Sequence, residues 1–122
     1  MVKALFDSNI LIDLLRNHDE ARAEIALFDD RAISIITWME VMVGASETSK
    51  SNTRAFLAGF DRIELNEAVA ERAVDLRRKH HMKLPDAIVW ASAQTQGRLL
   101  VTRNTKDFPT DDPGVRIPYV VS

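Results

Sequence analysis

The sequence predicts an α/β fold in which a mainly parallel sheet carries helices on both faces. Three observations predict it. Short apolar runs alternate with helically spaced segments along the chain, which is the signature of strands joined by helical crossovers. The chain has 122 residues, 46% of them hydrophobic and 28% charged, enough to bury one substantial core and typical of ordinary globular proteins. No linker, internal repeat or low-complexity tract interrupts it, so residues 1–122 are expected to form a single domain.

Val2 to Phe6 is a short apolar run that stops at Asp7 and reads as a buried strand, after which Asn9 to Arg16 has helical spacing. Asp7 is thereby placed at a strand's carboxyl end. A second helix is expected over His18 to Phe28, where Ala21, Ile25 and Phe28 recur on one face, followed by a strand over Arg31 to Ile36. Thr37 and Glu40 stand three residues apart and fit a capping box, in which each side chain satisfies a free amide of the other at a helix start. That helix is expected to run to about Ala45. Ser51 to Phe60 and Glu67 to His81 read as helices around a short strand at Ile63 to Leu65. Pro85 suits the first turn of a helix continuing from Asp86 to Gln96, and Gly97 suits its end. Leu99 to Thr102 is an apolar strand, and Ile117 to Val121 is expected to be the last.

The composition excludes several classes of chemistry. With no cysteine, disulfides, zinc thiolate sites and a cysteine nucleophile are absent, so any metal must take oxygen or histidine ligands. The amino-terminal stretch carries Lys3, Asp7 and Asp13, which neither a signal-peptide core nor a membrane span tolerates. A cytoplasmic protein is expected. A formal net charge of −2 gives no general attraction to nucleic acid, so any such binding must be local. The densest basic run is Arg77, Arg78, Lys79, His80, His81, Met82 and Lys83. It is either a solvated helix end whose cations favour the helix dipole or a phosphate-holding rim.

In open α/β sheets, sites form beyond the carboxyl ends of the strands. Asp7, Glu40 and Asp86 all map there, and Asn104 and Asp107 follow the strand at Leu99. Each acid has a plain structural role to play as well: Asp7 as a helix cap, Glu40 in the box with Thr37, Asp86 as a complement to a helix dipole. Carboxylates brought together raise one another's pKa unless a cation neutralises them. Hard oxygen donors suit Mg²⁺ or Mn²⁺, and such a site suits hydrolysis of a phosphodiester.

Four blocks occur in order: Leu5-Phe6-Asp7-Ser8-Asn9, Thr37-x-x-Glu40, Leu84-Pro85-Asp86-Ala87, and Val101-Thr102-Arg103-Asn104-x-x-Asp107-Phe108. Together they resemble PIN-domain ribonucleases, and their order and the chain length are similar to VapC-type toxins of toxin–antitoxin pairs. The resemblance implies a three-layer α/β/α sandwich, Mg²⁺ or Mn²⁺ as cofactor, endonucleolytic cleavage of RNA, a homodimer, and inhibition by a cognate VapB-type antitoxin. It assigns Asp7, Glu40 and Asp86 as the first three acids, Ser8 as the hydroxyl residue beside the first, and Thr102 and Asn104 as the polar pair after the last strand. Many members carry an acid where Asn104 stands. Asp107 is then favoured as an outer or second-metal ligand, Asn104 as its orienting partner, and a surface turn role for Asp107 is the competing reading. Ser8, Thr102 and Asn104 are expected to hold the ligands by hydrogen bonds, and Arg77, Arg78, Lys79 and Lys83 to contact RNA.

Other readings fare worse. A haloacid-dehalogenase-like phosphatase needs Asp-x-Asp where this chain has Asp7-Ser8-Asn9, and a phosphorelay receiver needs a lysine where Arg103 follows Thr102. A catalytically silent PIN-like binding module is the serious rival, opposed by three retained acids that repel one another. His80 and His81 point about 100° apart on a helix, so both cannot easily serve one site. Trp38 and Trp90 are expected in the core or an interface.

Overall fold

The computed structural model describes residues 2–121. Its elements are β1 (Lys3–Phe6), α1 (Ser8–Leu15), α2 (Asp19–Ala26), β2 (Asp30–Ser34), α3 (Ile35–Val43), α4 (Lys50–Leu57), β3 (Asp61–Ile63), α5 (Glu67–His80), α6 (Leu84–Thr95), β4 (Leu99–Val101) and β5 (Val115–Arg116). The strands form one sheet in the order β3-β2-β1-β4-β5, and every pairing is parallel.

Period-two alternation builds the layers, because successive strand side chains point to opposite faces. Leu5, Ala32 and Leu100 enter one core with Val69, Ala73 and Leu76 of α5 and the buried face of α6. Ala4, Phe6, Ile33 and Val101 enter the other with Ile10, Leu11, Ile25, Val41 and Leu57 from the first four helices. A three-layer α/β/α sandwich results. Phe6 anchors the second core through edge contacts to Phe28 and Phe60, with ring centroids 5.8 and 5.9 Å away. Trp90 is fully buried in the first, against Phe108.

The helix boundaries follow their caps. Asn66 accepts the amide of Val69 at the start of α5, and His81 closes that helix in the left-handed conformation with φ 55°. Pro85 lies in the first turn of α6 as expected, and Gly97 takes φ +62° just beyond it, where a side chain would be strained.

Three expectations are overturned. The capping box of Thr37 and Glu40 does not form: Ser34 caps α3, its Oγ accepting from the Ile36 amide at 3.1 Å. The helix therefore begins directly at the end of β2, Thr37 is carried inside it with a buried hydroxyl that has no partner, and Glu40 is left exposed on its second turn. The last strand is Val115–Arg116 and not Ile117 to Val121. Its register is fixed by Leu100 N–H to Gly114 O and Thr102 N–H to Arg116 O, after which the tail leaves the sheet with Ile117 on one core and Tyr119 on the other. The third strand likewise lies two residues earlier than expected, because Ile63 pairs with Ser34, where β2 ends.

Candidate active site

A sheet ordered 3-2-1-4-5 changes direction between β1 and β4. The chain leaves β1 toward β2 on one side and returns to β4 on the other, so the connections diverge and open a crevice at the carboxyl edge. Asp7 sits there. Its N–H donates to Val101 O at 2.9 Å, which locks the residue to the neighbouring strand. Its Oδ1 accepts from the Ser8 N–H at 2.8 Å and caps α1; its Oδ2 accepts from the Thr102 hydroxyl at 2.9 Å and from Asn9 Nδ2 at 3.3 Å. The capping and site roles anticipated for Asp7 are thus compatible, one oxygen serving the helix and the other the crevice.

Burial pushes the Asp7 carboxyl above the ordinary carboxylate range, the Thr102 and Ser8 hydrogen bonds pull it back, and the negative charge of Glu40 pushes it up again. Asp86, half-buried on the first turn of α6, is also raised, first by burial and then by the charges of Asp7 and Asp107, with Lys83 opposing them. The charges of the four acids are felt in pairs, Glu40 acting on Asp7, and Asp7 and Asp107 acting on Asp86. Among the described residues, no group of three or more His, Cys, Asp or Glu side chains is placed so that it could hold a metal ion together.

Thr102 is the hub of the polar layer. Fully buried, its hydroxyl donates to Asp7 and accepts from Asn9 Nδ2 at 3.2 Å and the Asn104 N–H at 3.0 Å. Asn104 in turn donates through Nδ2 to Asp107 Oδ2 at 2.9 Å and accepts the Asp107 N–H at 3.1 Å. An amide at this position orients the neighbouring carboxylate.

A family model for the PIN domain matches residues 4–110, a span that includes all four acids. The chain belongs to the PIN domain family. PIN domains are nucleases as a class and generally use divalent metal ions. A chain of a toxin–antitoxin complex from Klebsiella pneumoniae is 48% identical, with a TM-score of 0.92 over 98% of this chain and all of that one. A chain of FitAB bound to a DNA fragment is 21% identical, with a TM-score of 0.82 over 98% of this chain and 97% of that one. A chain of VapBC2 from Rickettsia felis, bound to a fragment of its promoter, is 20% identical, with a TM-score of 0.74 over 94% and 96%; these two share the fold. No curated protein matches this chain.

The donor set of this PIN domain fits a hard divalent cation. It offers carboxylate oxygens and no sulfur, and a few carboxylates around Mg²⁺ leave the remaining positions to water. The raised Asp7 and Asp86 carboxyls are those whose ionised forms a cation would most stabilise.

Around the acids, Glu40 stands between two concavities: one lined by Ile12, Arg16, Val41, Gly44 and Thr53, the other by Ile36, Met39, Val43 and Pro85. Lys83, immediately before α6, lies within electrostatic reach of Asp86. Arg77 and Arg78 line a concavity with Val74, His81 and Leu84. Arg77 donates to Met82 O at 2.9 Å, and Arg77, Arg78 and Lys79 are all exposed. His80 packs on Trp90 with centroids 5.0 Å apart, and His81 serves as the backbone cap. Trp38 is partly buried, with the guanidinium groups of Arg54 and Arg62 over its ring at 5.7 and 5.2 Å. No helix of the described residues is long and apolar enough to cross a membrane.

Sequence reasoning quoted Asn9 within a motif but gave it no role, and it passed over Asp13 and Arg103. The available signal was spacing: Asn9 and Asp13 are four residues apart and share one face of α1.

Proposed function

We propose that this PIN domain is a metal-dependent endoribonuclease that works as the toxin of a VapBC-type pair, with Mg²⁺ or Mn²⁺ as cofactor, a homodimeric assembly and a VapB-type antitoxin as its inhibitor. The carrying observation is the Asp7 carboxylate, held by Ser8, Asn9 and Thr102 where the connections diverge, with the charges of Glu40 and Asp86 coupled to it. When bound, a divalent cation would neutralise these carboxylates and stabilise negative charge developing on a phosphoryl group.

Asp7 and Asp86 would hold it. Thr102, Ser8 and Asn9 aim the Asp7 oxygens, and Asn104 aims Asp107. Glu40, exposed at the mouth, is free to accept a hydrogen bond from the attacking water and orient it. Arg77, Arg78, Lys79 and Lys83 supply local positive charge for the RNA backbone, which the net charge of −2 does not. Single-stranded segments are the favoured substrate, because A-form helices hide their base edges.

The 48% identical chain from a toxin–antitoxin complex supports the toxin role and an antitoxin partner. Exposed Met39 and Val43 on α3, near Pro85, supply an apolar face that supports self-association. A silent binding module would explain the capping oxygen of Asp7 but not why a second, half-buried carboxylate, Asp86, is kept where the Asp7 charge raises it.

The test is cleavage of single-stranded RNA by purified protein. Activity is expected with Mg²⁺ or Mn²⁺, none with excess chelator, and a loss on the order of 10²-fold or more in a folded Asp86→Asn variant. Undiminished cleavage in chelator would sink the proposal.

A further inference from the structure

We infer that the ion pair between buried Asp13 and partly exposed Arg103 is a positioning device for the candidate active site, fixing the segment from Thr102 to Asp107 against α1. The inference rests on the function proposed above, because it concerns how that site is held in shape.

Asp13 is a carboxylate with only 2% of its side chain exposed, remote in sequence from every candidate ligand but Asp7. It accepts three hydrogen bonds: from Arg103 Nε at 2.6 Å, Arg103 Nη2 at 3.0 Å and the Tyr119 hydroxyl at 2.8 Å. The pair holds the Asp13 carboxyl below the ordinary range. Arg103 is gripped twice by the same helix face. Asn9 Oδ1 takes its backbone N–H at 3.2 Å, and Asp13, one turn further along α1, takes its guanidinium.

Arg103 stands between Thr102, which holds Asp7, and Asn104, which holds Asp107. Asp7 caps the very helix that carries both grips. One rigid helix therefore ties the first acid to the segment bearing the fourth. A buried ion pair is a poor way to gain stability, because desolvation offsets its attraction. A bidentate fork does fix direction as well as distance, and that is what a constellation intolerant of displacements near 1 Å requires.

The test uses Arg103→Lys, which keeps the charge and loses the fork, and the double variant Asp13→Asn with Arg103→Gln, which leaves no unpaired buried charge. Two quantities are measured on the full chain: amide hydrogen exchange by NMR, and Mn²⁺ affinity by calorimetry. In both variants the amides of Arg103, Asn104, Lys106 and Asp107 should exchange about 10-fold faster while those of α6 stay protected. Mn²⁺ should bind about 10-fold more weakly although every candidate ligand is intact. Unchanged exchange in this segment, or loosened exchange with wild-type Mn²⁺ affinity, would overturn the positioning role. A wild-type protein that binds no Mn²⁺ would sink the proposed metal dependence instead, and segment exchange alone would then decide the clamp.

Discussion

Replacing Asp7 by asparagine should make the metal-free protein more stable at neutral pH, although it removes a central residue of the candidate site. Asp7 is buried, and its carboxyl is raised because desolvation outweighs the hydrogen bonds to its charged form. Each pH unit of such elevation corresponds to about 1.4 kcal/mol by which the fold disfavours the charge. Asparagine keeps an oxygen for the Ser8 N–H and is as good a helix cap as aspartate. Its amide cannot take the place of Oδ2 for Thr102, whose oxygen already accepts from Asn9 and the Asn104 N–H, so the Thr102 O–H loses its acceptor. The amide also faces the Asn9 Nδ2 group, donor against donor, and losing that bond costs about 1 kcal/mol. The net expectation is a gain in stability, read as a higher Tm, because the charge that burial disfavours has been removed.

The sign with pH follows from the raised carboxyl. Below the unfolded value both states are protonated and Asp7 costs nothing; as pH rises from about 4 through the folded pKa, ionisation is increasingly resisted by the fold and stability is lost. The advantage of Asp7→Asn should therefore be present at pH 7 and vanish below about pH 4. Urea denaturation at several pH values in chelator measures it. Adding Mn²⁺ should narrow or reverse the difference as its concentration rises, since binding to the native state stabilises the wild type by about 1.4 kcal/mol at ten times Kd and about 2.7 kcal/mol at a hundred times. A variant less stable than wild type at pH 7 in chelator, or an advantage independent of pH, would refute the reasoning.

Asp107→Asn should lower the cleavage rate and raise the Mg²⁺ concentration needed for half-maximal rate, because it removes a carboxylate that attracts the cation and accepts from its bound water, a loss larger than the relief of its repulsion on Asp86; unchanged metal dependence would leave Asp107 with only a turn role. Converting Arg78, Lys79 and Lys83 to Gln, with Arg77 left to its bond with Met82, should weaken RNA binding and flatten its salt dependence by up to about 0.7 in slope per lost phosphate contact. An unaltered slope would assign the run to the helix end alone. Thr37→Val should be neutral or stabilising by up to about 1–2 kcal/mol in thermal melts, since the Thr37 hydroxyl is buried without a partner, whereas Ser34→Ala should cost about 1 kcal/mol.

Local pattern alone was enough to locate β1, β4, α5 and α6, because a run of apolar residues, a proline in a first turn and a glycine after a last one act through the backbone of their own neighbourhood. It was not enough to choose between Ser34 and Thr37 as the cap of α3. Both are good caps, and the choice fell to Ser34 because β2 pairs with β3 only as far as that residue. The last strand was misplaced for the same reason: Ile117 to Val121 is apolar enough, but the sheet edge accepts Val115 and Arg116.

The sequence by itself determined which residues could do metal chemistry: no cysteine, four acids in four blocks, and a local cluster of cations in an acidic chain. Only the tertiary structure decided how they are held. It placed β4 beside β1, which brought the Thr102 hydroxyl to Asp7 across 95 positions and the Tyr119 hydroxyl to Asp13 across 106. Helical and strand periodicity are properties of adjacent residues, and so they are written locally. The environment of a buried carboxylate is a sum over whatever the packing brings near it, and in this chain most of those groups come from the far end.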